Sequence, residues 1–269
     1  MSQIIERLRK CWNVIKINAI NSYQEETAHF WNNWGNCVST VTYTLVVFLF
    51  YKVLILKFNN IAGYGFNELL LLNLFGQIFY YSSFGFFKKN IDNLINGVKR
   101  GTLDFVLLRP IPSLFYISFK SLPLVSTFRD SIINISISAL IIDWKYLNIN
   151  TNNFLIAFLM LIFGIIIWHC IGFILACSVF WFGESKRIYV LSQNISDNKF
   201  LVFESLPKNL RFFFTFIIPT TLAAPLAVSV ALSKSTIQWV FWSFIVTVFF
   251  LWLKNWVWKQ GLKAYTSAS

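Results

Sequence analysis

Long apolar runs separated by short polar punctuation dominate this chain. Runs at residues 37–56, 66–87, 124–142, 154–181 and 238–258 carry little charge, and as helices they are long enough to cross roughly 30 Å of bilayer hydrocarbon. Barrel strands would be shorter and would alternate apolar with polar positions, which these runs do not. A weaker run, 187–204, mixes its apolar residues with Ser192, Gln193, Asn194, Ser196, Asp197 and Asn198, a polarity suited to protein or a water-filled cavity rather than lipid. Between it and the last run, 210–232 is apolar but broken by Pro219 and Pro225. Proline removes a backbone donor and clashes with the preceding turn, so this stretch reads as a helix-turn-helix dipping partway into the bilayer. The pattern predicts an all-α integral membrane protein. It forms one domain over residues 1–269, with six transmembrane helices and a proline-broken re-entrant outer segment at 205–233.

Ahead of the first span, residues 1–30 lack the contiguous apolar core and small-residue cleavage site of a secretory signal. Ile4, Leu8, Cys11, Trp12, Ile15 and Ala19 fall on one helical face, with Glu6, Arg7, Lys10, Asn13 and Lys16 opposite. This is the pattern of an amphipathic helix lying in the membrane interface.

Composition agrees with the pattern. Hydrophobic residues make up 57% of the chain and charged residues 13%, against about 25% charged in a soluble domain. The cations set the orientation, because Lys and Arg are retained on the cytoplasmic side. With both termini inside the cell membrane, the inner segments hold most of them, including Arg7, Arg9, Lys88, Lys89, Lys99, Arg100, Arg109, Lys120, Lys254 and Lys259. The net charge of +12 then meets lipid headgroups and calls for no nucleic acid.

Chemistry-bearing motifs are sparse. No G-x-x-x-x-G-K-[ST] loop occurs, so the chain carries no nucleotide cradle of that type. Cys11, Cys37, Cys170 and Cys177 show no C-x-x-C spacing, and His169 beside Cys170 on a helix points away from it, so it reads as a structural histidine. No cofactor or metal is expected. Arg129 and Asp130 in the third span, and Gln193, Asn194, Asp197 and Lys199 in the fifth, are the candidates for a pathway or an interface. The close-set opposite signs also fit local neutralisation. Ala223, Ala227 and Ala231 make a small-residue stripe that permits close helix approach, within the chain or between chains.

The segment between the second and third spans, 88–120, is denser in information. Residues 91–99 are helix-compatible, Gly101 suits the end of that helix, and Thr102 suits the N-cap of a second, short one of about two turns. Asp104 would occupy its first turn and Arg109 its last, each complementing the macrodipole. Pro110 ends it, and Pro112 stiffens the exit. Leu103 and Leu107 would share one side. A capped cytoplasmic helix of this kind suits docking into a groove on a partner.

At these residues the chain resembles the ABC-2-type exporter permeases, in particular their six-span subfamily. The run Gly101–Pro110, G-T-L-D-F-V-L-L-R-P, resembles that subfamily's G-x-L-D-x-x-L-x-R-P segment. Pro207, Pro219 and Pro225 match its proline-punctuated outer segment, and W-K-Q-G-L-K-A-Y-T-S-A-S from Trp258 matches its closing motif. The resemblance implies a half-transporter of an ATP-driven exporter. Two permease chains, identical or paired with a sister, would form the pathway, and two separate ATPase subunits would bind ATP and magnesium. The 88–120 segment would be the coupling helix, with Gly101, Leu103, Asp104, Leu107, Arg109 and Pro110 at the ATPase contact. Two alternatives remain at this stage. A secondary transporter would usually show two similar halves with matching broken helices; here there is one broken segment. A membrane-embedded enzyme would have to use His169 or Asp130.

Overall fold

The computed structural model describes residues 2–28, 30–183, 190 and 201–265, and among these it is helical without a strand. The chain opens with α1 (Ser2–Thr27) and α2 (Phe30–Phe58). Helix α3 (Phe66–Ser83) runs through a π-helical turn, Phe84–Lys88, into α4 (Lys89–Lys99). Two short helices follow, α5 (Asp104–Leu107) and α6 (Ser113–Ser118). Then come α7 (Leu124–Ile141), α8 (Thr151–Ala176) and α9 (Val179–Phe182). The remainder holds α10 (Lys208–Phe212), a π-helical continuation Phe213–Ile217, α11 (Pro225–Ala231) and α12 (Trp239–Ala264).

Five helical stretches are long and apolar enough to cross a membrane: Trp34–Phe58, Phe66–Lys99, Leu124–Ile141, Thr151–Phe182 and Trp239–Ala264. They coincide with five of the six expected spans. The sixth, 187–204, lies mostly outside the described residues. The second differs in extent, because the π turn lets the helix continue past Phe87 to Lys99 where a separate cytoplasmic helix was expected. Gly85 sits in that turn because α7 crosses there. A Cβ at position 85 would lie 2.9 Å from Thr127 Cβ.

The main core forms where α3, α8 and α11 meet, from residues such as Leu71, Phe75, Met160, Leu161, Leu226 and Val230. Every residue of α11 is buried, and Ala223, Ala227 and Ala231 of the stripe are spent on this intrachain packing. Gly164 of α8 permits the closest approach, since a Cβ there would lie 2.5 Å from Ala223 Cβ and 3.0 Å from its amide nitrogen. By contrast, α2 and α12 turn large apolar side chains outward, among them Leu49, Val53 and Leu56, and Phe241, Ile245 and Trp252. In water such faces would be costly; in lipid they are solvated.

The proline-rich segment is broken as expected. Pro207 caps α10, Pro219 lies in the break, and Pro225 opens α11, where its missing N–H costs nothing. At about 1.5 Å per residue, neither the arm 208–217 nor α11 reaches across the hydrocarbon. Thr221 Oγ1 donates to the Phe214 carbonyl at 2.9 Å, and the Leu226 amide donates to the Thr221 carbonyl at 2.9 Å, so backbone freed at the break is satisfied internally.

Helix α1 makes polar contacts beside its apolar stripe. Its inner face is partly polar, while Trp12 of the apolar stripe is 66% exposed. The Asn18 side chain donates to the Phe119 carbonyl at 3.0 Å, and Ser22 Oγ accepts from the Leu122 amide at 3.0 Å. The Glu26 carboxylate accepts from the Val125 and Ser126 amides at 3.0 and 3.1 Å. Glu26 thus supplies the N-terminal cap that Pro123 cannot give α7. Helical periodicity marks an apolar stripe, but it does not say which polar residues will find a partner a hundred positions away.

Candidate functional site

The segment joining α4 to α7 folds back on itself, and Asn90 closes its base. The Asn90 side chain donates to the Ser121 carbonyl and accepts from the Ser121 amide, both at 2.7 Å, and also donates to the Phe86 carbonyl at 2.8 Å. From this clasp α4 projects with Ile91, Leu94 and Ile95 buried. It ends where Gly101 takes φ +69°, a left-handed conformation that favours glycine. The Gly101 amide donates to the Val98 carbonyl at 3.3 Å, and the Leu103 amide returns to the Gly97 carbonyl at 3.1 Å.

Beyond this turn the helix is shorter than expected. Only Asp104–Leu107 is α-helical, and Leu103, not Thr102, stands at its N-cap, without a side-chain capping bond. The fold-back of the Leu103 amide onto α4 takes up the chain that a second turn would have used. Leu103 is 2% exposed and Leu107 is 38% exposed, so the two do not form one outward face. The outward apolar residues are Phe105, 69% exposed, and Leu108, 82% exposed. Arg109 departs from the helix axis and lays its guanidinium 4.3 Å from the Tyr116 ring centroid of α6, a cation–π contact. Exposed Pro110 leads out of the turn.

Leu103 is inside because a second hydrophobic cluster receives it. Ile91, Leu94, Ile95, Leu103 and Ile117 pack with Phe173, Cys177, Val179 and Trp258, and Leu262 and Tyr265 pack against them. The two motifs that lie about 150 residues apart in sequence therefore meet in one cluster. Gly261 allows it, as a Cβ there would lie 2.8 Å from Phe180 Cε2. Tyr265 stacks edge-on to Phe180 at 6.0 Å. Burial, and then the nearby Asp104 carboxylate, hold its hydroxyl above the usual tyrosine range.

Sequence reasoning missed a polar centre next to this cluster. Lys254, counted among the cytoplasmic cations, is buried in α12. Its ammonium lies 2.8 Å from His169 Nε2 of α8 and donates to Ser118 Oγ of α6 at 3.0 Å. It also lies 4.6 Å from the Phe173 ring centroid, while His169 stacks on Phe87 with centroids 4.0 Å apart. Lys254 thus bridges α12 to α6 and, through His169, to α8. The only sequence signal was a lysine on the same helical face as Trp258 and Gly261.

The other expected pathway residues divide. Arg129 Nε donates to Asp130 Oδ1 at 2.8 Å and Nη2 to Oδ2 at 3.1 Å, so the pair neutralises itself within α7. Gln193, Asn194 and Asp197 lie outside the described residues. At the opposite end of the molecule, Lys234 pairs with Glu68 at 3.0 Å, donates to the Gly63 carbonyl at 2.7 Å and sits 3.6 Å from the Tyr64 ring centroid. Glu204 accepts from Ser229 beneath it. These contacts pin the loop between α2 and α3 onto the segment that follows α11.

The apolar bundle, the proline break and the two motifs joined in one cluster describe a membrane component. Comparison with curated proteins finds no match, and comparison with solved structures finds none either. A family model does match, that of the ABC-2 family transporter proteins, over residues 41–269. This range takes in most of the first span-length helix, the other four, the fold-back segment and the closing motif, and the chain therefore belongs to the ABC-2 transporter family as a multi-pass membrane protein.

Proposed function

We propose that this chain is the permease subunit of an ATP-driven exporter in the cell membrane. Two such chains form the pathway, and separate ATPase subunits dock on the turn around α5. The observation that carries this reading is the outward pair Phe105 and Leu108. Two large apolar side chains stand 69% and 82% exposed on a turn braced from within by Leu103 and clasped at its base by Asn90. Exposed apolar residues on a braced element suit docking against a protein groove. The turn shares its end of the molecule with the cation-rich segments Lys88–Arg100 and Lys259–Lys263, a charge bias that supports a cytoplasmic position, where ATP is available.

In this arrangement the motor's movement enters at α5 and passes through Leu103 to the cluster of α4, α8 and α12. The contact assigned to Gly101, Leu103, Asp104, Leu107, Arg109 and Pro110 resolves into separate roles. Gly101 turns the chain, Leu103 anchors it, Arg109 and Tyr116 shape the far side, and Leu107 borders the exposed pair. The proline-broken segment is a re-entrant outer element.

Purified chain alone should hydrolyse no ATP, because it lacks the nucleotide loop, whereas its complex with a nucleotide-binding subunit should. ATPase activity that follows this polypeptide through stringent purification, with no second protein detectable by mass spectrometry, would overturn the proposal.

A further inference from the structure

The buried ammonium of Lys254 carries an inference beyond transport itself. Its partners are neutral: His169 Nε2 at 2.8 Å, Ser118 Oγ at 3.0 Å and the Phe173 ring. Among the described residues no carboxylate pairs with it. A buried cation without a counter-charge is costly, and one placed so consistently among neutral acceptors calls for an anion nearby.

Beside it lies a cleft of about 490 Å³ between α6 and the last turns of α12. Lys254 and Ser118 both line it, as does the exposed Lys259, and no carboxylate does. The remaining wall is largely apolar, with Phe115, Phe119 and Trp258 contributing rings. The cleft thus offers two cations and a hydroxyl against an aromatic and aliphatic surface. It lies toward the Ala264 end of α12, within reach of headgroups. This combination matches an amphiphile whose anionic group seeks charge-assisted hydrogen bonds while its chains lie against rings.

We propose that this cleft binds the phosphate of an anionic lipid from the adjoining leaflet. Ser118 belongs to the same folded-back segment as α5, so an occupied cleft braces that segment against α12 and α8. The site depends on the chain being membrane-embedded and not on ATPase docking, so the two proposals fail separately.

Native mass spectrometry of the purified full-length chain in detergent tests this, with phosphatidylglycerol, phosphatidylcholine and inorganic phosphate titrated separately. Phosphatidylglycerol adducts should persist at lower lipid concentration than phosphatidylcholine adducts. Lys254→Met and Lys259→Gln should each weaken phosphatidylglycerol retention about fivefold, the scale of one cation beside an anionic surface. Lys208→Gln, at the other end of the molecule, should leave it unchanged. Equal retention of the two lipids would overturn the proposal, and so would undiminished phosphatidylglycerol binding in Lys259→Gln. Should Lys254→Met fail to insert, the exposed Lys259 and the comparison of lipids still decide. Lys259-dependent binding of inorganic phosphate with no preference between the lipids would show a phosphate site and refute a lipid occupant.

Discussion

Gly164→Ala is the sharpest test of how the bundle packs. In a helix interior, replacing Gly with Ala normally stabilises by about 0.5–1 kcal/mol. At position 164 the new methyl would lie 2.5 Å from Ala223 Cβ and 3.0 Å from its backbone nitrogen, well inside the 3.5–4.0 Å of ordinary carbon contact. Ala223 cannot simply swing aside, for it belongs to the break between the π turn and α11, which Thr221 ties to Phe214 at 2.9 Å. Overpacking of this kind costs about 1–3 kcal/mol. Set against the propensity gain, the net effect is a destabilisation centred on about 1 kcal/mol and reaching about 2.5 kcal/mol, or a few degrees in melting temperature for a chain of this size. Gly35, in α2, has nothing within 4 Å of its would-be Cβ, so Gly35→Ala should be neutral or stabilising by up to about 1 kcal/mol. Both variants can be melted in detergent by intrinsic fluorescence. A Gly164→Ala protein melting at or above the wild-type temperature would show that α8 and the break do not approach as closely as described.

Asn90→Ala should strand the buried Ser121 amide at a cost of about 1–3 kcal/mol and loosen the fold-back, seen as faster tryptic cleavage after Arg100 in inside-out vesicles. Glu26→Ala removes the acceptor for the Val125 and Ser126 amides and should lower stability by about 0.5–2 kcal/mol, read as a drop in melting temperature larger than that of Glu6→Ala, whose partner is the solvent-exposed Lys10. With the four native cysteines removed, a cysteine at Ser267 should resist an impermeant thiol reagent added to intact cells and react after permeabilisation. Labelling from outside would reverse the proposed orientation.

Five of the expected spans were legible because lipid imposes one requirement, a long uncharged helix, and residues such as Leu69–Phe75 or Phe154–Phe173 meet it without reference to anything else. The end of α4 at Gly101 and the break at Pro219 were legible for a similar reason, since both are set by backbone chemistry at a single residue. What local pattern could not supply was the choice among equivalent positions. Leu103 and Leu107 are both leucines four residues apart, and only the presence of Ile91, Ile117 and Trp258 decides that the first is covered. Lys254 and His169 are separated by 85 positions, so no spacing rule pairs them, and the lysine looked like one more inner cation. The Thr102 cap had the right residue type, yet the fold-back of Leu103 onto Gly97 shortened the helix it would have opened.

The central claim, that the turn around α5 is where a motor subunit docks, rests on Phe105 and Leu108. The direct measurement is affinity purification of the tagged chain from its native membranes, with a nucleotide-binding subunit identified and quantified by mass spectrometry relative to the permease. Replacing Phe105 or Leu108 with Asp leaves the charge in solvent in the free chain, so insertion and melting temperature should be unchanged. Burying that charge in a docked face costs several kcal/mol, which corresponds to a loss of two or more orders of magnitude in affinity. The account predicts that the ATPase co-purifies with the wild-type chain and is lost from both variants at equal permease abundance. Retention of the ATPase at wild-type levels by both Phe105→Asp and Leu108→Asp would contradict it.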